Sequence, residues 1–521
     1  MGTIEPWVVV TAISLGFSIP VLLSSYYTVI LFISSLRYPK SMVIVEHRPP
    51  DTPMVSVLIA TFNEKFVIAK TLDAITRLNY PKGRFQIIVA DDSTDETREL
   101  IDRKIDELNS LGLATFASRR ETRDGFKSGA LNLAAKSLEG DYVLLLDADS
   151  MVTSDVLSRG LPLFKLDPKI AFVSFRVGHY NREQNLITRL FALQLDQGDT
   201  INKMGSYSID APFSFQGGFT LISTAALKRV GFWTNDSIVD DADLSCKIYS
   251  AGLRGVYLSD VRIFSEDPSS LEIWKKQATR VAQGWAKCAV SNWRKIILCN
   301  NLSFWKRLAI LISLLGPFSA LSWIVVTFIS AVALALGVTT PGNSIFSNPF
   351  YLVIVTIPAV SFFVSGAYAL HVQKIMTLRN LTLLPMISYT SSGLMTSISV
   401  GFLNGIRGKH GSFFRTPKSG IEDKENSKQY FHDISFGRIA VIESIIAILA
   451  IALSTIALTK GVWFLFLSLL GFGALTLKSV NLHRLFRKPS KNHSITGGGG
   501  PGTISPNEIR SQEQQEGEIV L

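Results

Sequence analysis

The sequence predicts an α/β domain, built on a mostly parallel mixed sheet and inserted between the transmembrane helices of an α-helical membrane domain. Three observations predict it: uncharged runs crowd the two ends of the chain, strand-like and helix-like segments alternate between them, and acidic residues follow successive strands. The 521 residues are 47% apolar and 18% charged, with 52 Lys+Arg against 42 Asp+Glu and a net charge of +10. That balance excludes a disordered chain, and the uneven spread of apolar residues excludes one uniform soluble globule. Cys246, Cys288 and Cys299 show no CxxC or paired Cys/His spacing, which argues against a disulfide scaffold, a structural zinc site and a thiol-redox motif.

Residues 6–36 carry no charge and are followed by Arg37 and Lys40. The run is too long for the apolar core of a signal peptide, so residues 1–40 read as a retained transmembrane helix with its N-terminus outside the cell membrane. Residues 304–380 hold two further uncharged runs, 308–338 and 350–370. Residues 439–482 hold another two, 439–459, which carries only Glu443, and 461–477. Each approaches or exceeds the roughly 17–20 residues that cross the hydrocarbon. Residues 381–405 are apolar yet rich in Ser, Thr and Gly, and a basic segment with Arg407, Lys409, Arg415, Lys418, Lys424 and Lys428 follows. A sixth crossing would place those charges outside. Residues 381–438 therefore read as an interfacial or re-entrant segment with a cytoplasmic loop, with a plain transmembrane helix as the alternative. Arg484, Arg487 and Lys488 keep the C-terminus inside, and residues 483–521 read as a disordered cytoplasmic tail.

Within the cytoplasmic block, 41–303, strands are expected over 55–60, 85–90 and 142–146, and helices over 65–78, 95–111, 128–138 and 244–251. Ligands of such sheets sit at the carboxyl ends of the strands. There stand Thr61-Phe62-Asn63-Glu64, Asp91-Asp92 and Asp147-Ala148-Asp149. The i, i+2 carboxylates of Asp147 and Asp149 can aim oxygens at a hard divalent cation, whereas Ser93 or Asp95 suits a helix cap. Residues 270–297 form an amphipathic helix with Trp274, Trp285 and Trp293 beside Lys275, Lys276, Lys287, Arg294 and Lys295. It suits the headgroup region, with packing inside the domain as the alternative.

In that order, Thr61-Phe62-Asn63-Glu64, Asp91-Asp92, Gly125-Phe126-Lys127 with Asn132, and Asp147-Ala148-Asp149 resemble the family 2 glycosyltransferases. Val239-Asp240-Asp241-Ala242-Asp243 resembles their Thr-Glu-Asp segment, and Gln277-Ala278-Thr279-Arg280-Val281 resembles their QxxRW motif. Phe414-Arg415-Thr416-Pro417-Lys418 is similar to the gating loop of the membrane-embedded branch, which includes cellulose, hyaluronan and mannan synthases. The resemblance implies a GT-A-like fold and an inverting, metal-dependent hexosyltransferase. It implies nucleotide-sugar contacts from Thr61, Asn63, Glu64, Asp91, Asp92, Lys127 and Asp147, and Mg²⁺ or Mn²⁺ on Asp149 with Asp147. Asp241 is implied as the base for the acceptor hydroxyl, with Asp240 its nearest competitor and Asp243 not excluded, and Arg280 as charge for the leaving diphosphate.

Gln216, Gly217 and Gly218 would let the backbone approach the acceptor, or form an ordinary turn. Val281 replaces the tryptophan of QxxRW. Trp285, one helical turn on, is expected to take over as a platform for the acceptor sugar or else to anchor the helix at the membrane interface. The expected reaction moves a sugar from a nucleotide-sugar, a UDP-sugar foremost, to a growing β-linked polysaccharide that passes through the membrane helices. The alternatives are transfer of one sugar to a lipid phosphate or lipid-linked acceptor and, outside enzymes, a transporter or receptor with an α/β regulatory domain. Donor, acceptor and membrane lipids are the expected partners. The basic residues cluster at membrane borders without a recognition motif, so nucleic acid is not among them.

Overall fold

The computed structural model of the chain describes residues 6–38, 52–235, 237–338, 349–408 and 437–461, with 466–467, 469–474 and 476–477 beyond them. Phe414, Arg415, Thr416, Pro417 and Lys418 of the gating-like motif and the tail 483–521 lie outside the described residues.

Among the described residues, eight strands form one sheet: β1 (Val55–Thr61), β2 (Phe85–Asp91), β3 (Ala114–Ser118), β4 (Tyr142–Asp147), β5 (Met151–Val152), β6 (Ile170–His179), β7 (Thr220–Ser223) and β8 (Arg254–Ser265). Their order is β3-β2-β1-β4-β7-β6-β8-β5. The β1–β2, β1–β4, β2–β3 and β6–β8 pairs are parallel, whereas β7 is antiparallel to β4 and β6, and β5 to β8. Nearly every side chain of β1, β2 and β4 is buried, which is why these strands read as continuous apolar runs instead of alternating ones. Their register sets Thr61 beside Asp91 and Ala60 beside Asp147, so the segments leaving all three strands meet at one edge.

Around the sheet lie α1 (Pro6–Ser35), α2 (Ile68–Ile75), α3 (Thr97–Ser110), α4 (Phe126–Ala134), α5 (Val156–Gly160), α6 (Leu186–Gly198), α7 (Met204–Ser208), α8 (Thr224–Val230), α9 (Asp240–Ser250) and α10 (Leu271–Ile297). The helix expected over 65–78 is shorter, because residues 64–67 form a turn. In contrast, α9 starts four residues before the helix expected from Leu244. Asp240, Asp241 and Asp243 fill its first turn, where carboxylates complement the positive end of the helix dipole.

Further helices are α11 (Phe304–Leu315), α12 (Phe318–Ala335), α13 (Pro349–Val372), α14 (Leu378–Ile406) and α15 (Gly437–Thr459). The uncharged run 308–338 is not one straight helix: α11 and α12 are bent by 64°. Gly316 keeps helical backbone angles, but Pro317 has no N–H to continue the helical ladder, which puts the break at that dipeptide. Among the described residues, Val8–Ser35 and Val441–Thr459 are long and apolar enough to cross a membrane, and the bent pair makes a third span if it crosses as one. The segment 381–405, expected to be interfacial or re-entrant, belongs to one continuous helix, α14, which lies along α10. A Cβ at Gly401 or Gly405 would run into the carbonyls of Thr279 and Gln283 on α10, so the two backbones touch where only glycine fits. At the other end of the chain, the Tyr38 hydroxyl donates to the carbonyl of Tyr257 in β8 at 2.7 Å and joins the segment after α1 to the sheet.

Candidate active site

A cavity of about 750 Å³ opens at the carboxyl edge of β1 and β4. At its outer end stand Thr61, Phe62, Glu64, Asp92 and Arg123. Asp147, Asp149, Glu266 and Lys127 follow, then Asp240, Asp241, Gln277, Arg280, Val281 and Trp285. Tyr27 and Leu31 of α1 and Ser313 and Leu314 of α11 also line the cavity.

The carboxylates at the outer end are held by arginines. Asp91 is fully buried, accepts the Ser93 N–H at 2.9 Å and pairs with Arg119 at 2.8 Å. Asp92 receives the guanidinium of Arg120 through two bonds, Nε at 2.7 Å and Nη2 at 2.6 Å. This fork matches the carboxylate plane and restricts its orientation. The Arg123 guanidinium lies 3.3 Å from the centre of the Phe62 ring, a cation–π contact on the cavity wall. Asn63, at a positive φ of 56°, ties the two loops together: its N–H donates to Ser93 and its side-chain oxygen accepts the Thr94 N–H. Asp91 and Asn63 therefore brace the loops, and neither is part of the cavity wall.

In the middle of the cavity Lys127 donates to Asp147 at 2.6 Å and lies 3.8 Å from Asp240. Burial alone would lower the Lys127 ammonium, but these carboxylates outweigh it and raise the pKa, so the residue is a fixed cation. Asp149 is buried, and its Oδ2 accepts the Glu266 N–H at 3.0 Å. Gly217 and Gly218 pack against this charge cluster. A Cβ at Gly218 would stand 2.6 Å from Asp147 Oδ2, and one at Gly217 would stand 3.0 Å from Lys127 Nζ. Gly218 thus leaves the space that Asp147 fills, and Gly217-Gly218 lie in a turn. Gln216 accepts from Lys203 at 2.9 Å on the cavity wall.

Asp241 behaves differently. It accepts the Ala242 N–H at 2.8 Å, and burial next to Asp240 pushes its carboxyl up to about 6 against the pull of Lys127. Across from it lies Arg280, lowered by burial, with Asp240, Asp241 and Asp147 opposing that shift. Asp243 faces away: it is hydrogen-bonded to the Thr234 hydroxyl and takes the Asn292 amide at 3.0 Å. That leaves Asp240 and Asp241 as the two carboxylates of α9 that meet the cavity.

For a divalent cation, the donor set decides the fit. Asp147 and Asp149 offer hard carboxylate oxygens, but no cluster of three or more His, Cys, Asp or Glu suited to a metal exists among the described residues. Two carboxylates complemented by phosphate oxygens of a bound substrate are an ordinary Mg²⁺ or Mn²⁺ environment, so the residues present fit an ion that arrives with its ligand.

The three tryptophans of α10 have separate fates. Trp274 is buried against Phe191, their rings 5.2 Å apart, in a core that includes Leu383 and Ile387. Trp285 is half-buried on the cavity wall, one turn after Val281, and Trp293 is 45% exposed.

Residues 142–340 match the family model described as glycosyl transferase family group 2. The match begins at β4 and takes in α9 and α10. The chain is 32% identical over 259 residues to glucomannan 4-beta-mannosyltransferase 7 of Arabidopsis thaliana, covering 49% of this chain and 47% of that protein. To glucomannan 4-beta-mannosyltransferase 1 of Oryza sativa subsp. japonica it is 30% identical over 263 residues, 50% of each chain. The chain thus spans about half the length of the curated relatives it matches. Among solved structures, the mannosyltransferase PcManGT from Pyrobaculum calidifontis, in complex with GDP-Man and Mn²⁺, aligns with 76% of this chain and 99% of its own at 20% identity and a TM-score of 0.48.

Three features of the site escaped sequence reasoning. Arg119 and Arg120 lie 28 residues from the aspartates they hold, with no spacing rule to join them. Lys203 sits on a π-helical turn, Asp199–Lys203, that carries it to the cavity wall, with Asp199 3.0 Å away. Such turns often mark functional sites, but their backbone register is invisible in sequence. Finally, Glu266-Asp267 follows β8 with His179 bonded to Asp267 at 2.8 Å, and burial opposed by Asp267 and Asp196 leaves that imidazole pushed up to about 9. Acidic residues after a strand were the available signal there.

Proposed function

We propose that the chain is a membrane-integrated, inverting glycosyltransferase that adds sugar from a nucleotide-sugar to a growing β-linked polysaccharide. The observation that carries the reading is the raised carboxyl of Asp241 in one continuous cavity with Lys127, Asp147, Asp149 and Arg280. Thr61, Glu64 and Asp92, with Phe62 and Arg123, hold the nucleoside at the outer end, while Asn63 and Asp91 shape their loops. Asp149 and Asp147 would hold Mg²⁺ or Mn²⁺, which when bound neutralises the diphosphate and stabilises its departure. Lys127 and Arg280 supply fixed positive charge along the same path.

Asp241 accepts the acceptor's hydroxyl proton as the new bond forms, a role served by a carboxyl raised toward the working pH. Asp240 raises it by like charge. Trp285 offers the flat apolar face for the acceptor ring, and Gln216 a polar group opposite. The catalytic block and C-terminus face the cytoplasm in this reading, with five crossings and α14 at the interface. The wall formed by α1 and α11 favours a polymer that leaves through the membrane helices over a single-sugar transfer to a lipid. The names of the relatives make mannosyl donors the first to assay beside UDP-sugars. Purified full-length protein should release nucleoside diphosphate from one member of a UDP- and GDP-sugar panel, only with Mg²⁺ or Mn²⁺, and build saccharide. Turnover of none would defeat the reading.

A further inference from the structure

Glu443 is the lone charge in an apolar run of membrane-spanning length, and it is fully buried. Its Oε2 accepts from Lys275 of α10 at 2.6 Å, and its Oε1 accepts from Ser397 of α14 at 3.4 Å. Lys275 is itself 2% exposed. Three helices, one of them the last helix of the catalytic block, therefore meet at one buried ion pair.

Cohesion alone is a poor reason for this pair. Desolvating two charges offsets most of their attraction, and well-packed apolar side chains hold helices together as well or better. Such a pair does, however, impose one geometry, since any displacement leaves a buried charge without its partner. What it would hold in place is visible along α10. Arg280 follows Lys275 by five residues, about 7.5 Å along the axis. Thr279 and Gln283 on either side of Arg280 carry the carbonyls that touch Gly401 and Gly405 of α14. One residue past Gln283, Gly284 receives the Val239 side chain, with a Cβ there only 2.5 Å from it, and Val239 precedes Asp240 and Asp241. Helix α10 is thus wedged between membrane helices and the acidic turn of α9.

We propose that Lys275 and Glu443 are positioning residues: their ion pair ties α10, and with it Arg280 at the reacting end of the cavity, to the membrane helix α15. The inference rests on the glycosyltransferase reading above. It makes catalysis answer to the arrangement of the membrane helices without any contact between those two residues and substrate.

The test compares full-length variants in lipid nanodiscs for kcat, donor KM and Tm. Glu443→Gln should lower kcat at least tenfold with donor KM little changed, because Arg280 acts on charge that develops as the diphosphate leaves. Lys275→Arg keeps the pair and should keep most of the rate. The double variant Lys275→Met/Glu443→Met should recover the wild-type Tm yet stay slow. A double variant with both Tm and kcat of the wild type would reduce the pair to a structural contact and overturn the proposal, as would an unchanged kcat in Glu443→Gln. If the double variant does not fold, equal rates in Lys275→Arg and Glu443→Gln would overturn it. Failure of the wild type to turn over any donor is a separate result, seen before any substitution, and defeats the enzyme reading itself.

Discussion

The two ends of the cavity hold their carboxylates in opposite ways. Behind and along the outer end, Asp91 and Asp92 are locked by Arg119 and Arg120, and in the middle Asp147 is locked by Lys127. At the reacting end, Asp241 sits buried beside Asp240, and its carboxyl is pushed up to about 6. Carboxylates held by cations fix loop shape, whereas a buried carboxylate crowded by another is raised toward neutral pH. The comparison separates the carboxylates that are held by cations from the one proposed to react.

The comparison breaks most sharply at Asp241. Asp241→Asn should cut sugar transfer by about 10²–10⁴-fold, the usual contribution of a general base. Donor affinity, titrated calorimetrically with Mn²⁺, should stay close to wild type. A parallel loss of donor affinity would move Asp241 into the binding end. Asp149→Ala is the converse experiment: metal-dependent donor binding should weaken about tenfold or more, or at least ~1.4 kcal/mol. The same titration reads it, and an unchanged affinity would detach Asp149 from the metal.

A smaller effect is expected at the acceptor wall. Trp285→Ala should reduce transfer to saccharide about three- to tenfold, the range of an aromatic contact, while hydrolysis of the donor by water persists. Val281→Trp in that background should restore part of the transfer. Quantifying both products in the single and double variants decides between a sugar platform and a membrane anchor, since unchanged transfer in Trp285→Ala would leave only the anchor.

Much of the sheet was legible because β1, β2 and β4 are buried on both faces and cannot hide their apolar runs. The acidic residues at their ends were legible because they interrupt those apolar runs, although Asp91 and Asp149 are themselves buried. The helix start at Asp240 was not, because three aspartates look like a loop until the dipole that favours them is considered. The role of Gly218 was also hidden, since it depends on Asp147, a residue distant in sequence that fills the space of a Cβ. The bend between α11 and α12 had its signal in Gly316-Pro317, which hydropathy averaging erases. Long-range pairs such as Lys275 with Glu443 leave no local pattern at all.

The contrast between the two ends is tested most directly by the pH dependence of kcat/KM in wild type and in Asp240→Asn. This profile reports the ionisation of the free enzyme, and a base works only when deprotonated, so activity should fall tenfold per unit as pH drops below about 6. Removing the Asp240 charge stabilises the ionised form of Asp241, so the acid limb of Asp240→Asn should move to lower pH, whatever its absolute rate. An acid limb that stays in place, or wild-type activity that is flat through pH 6, would contradict the assignment of Asp241 as the base.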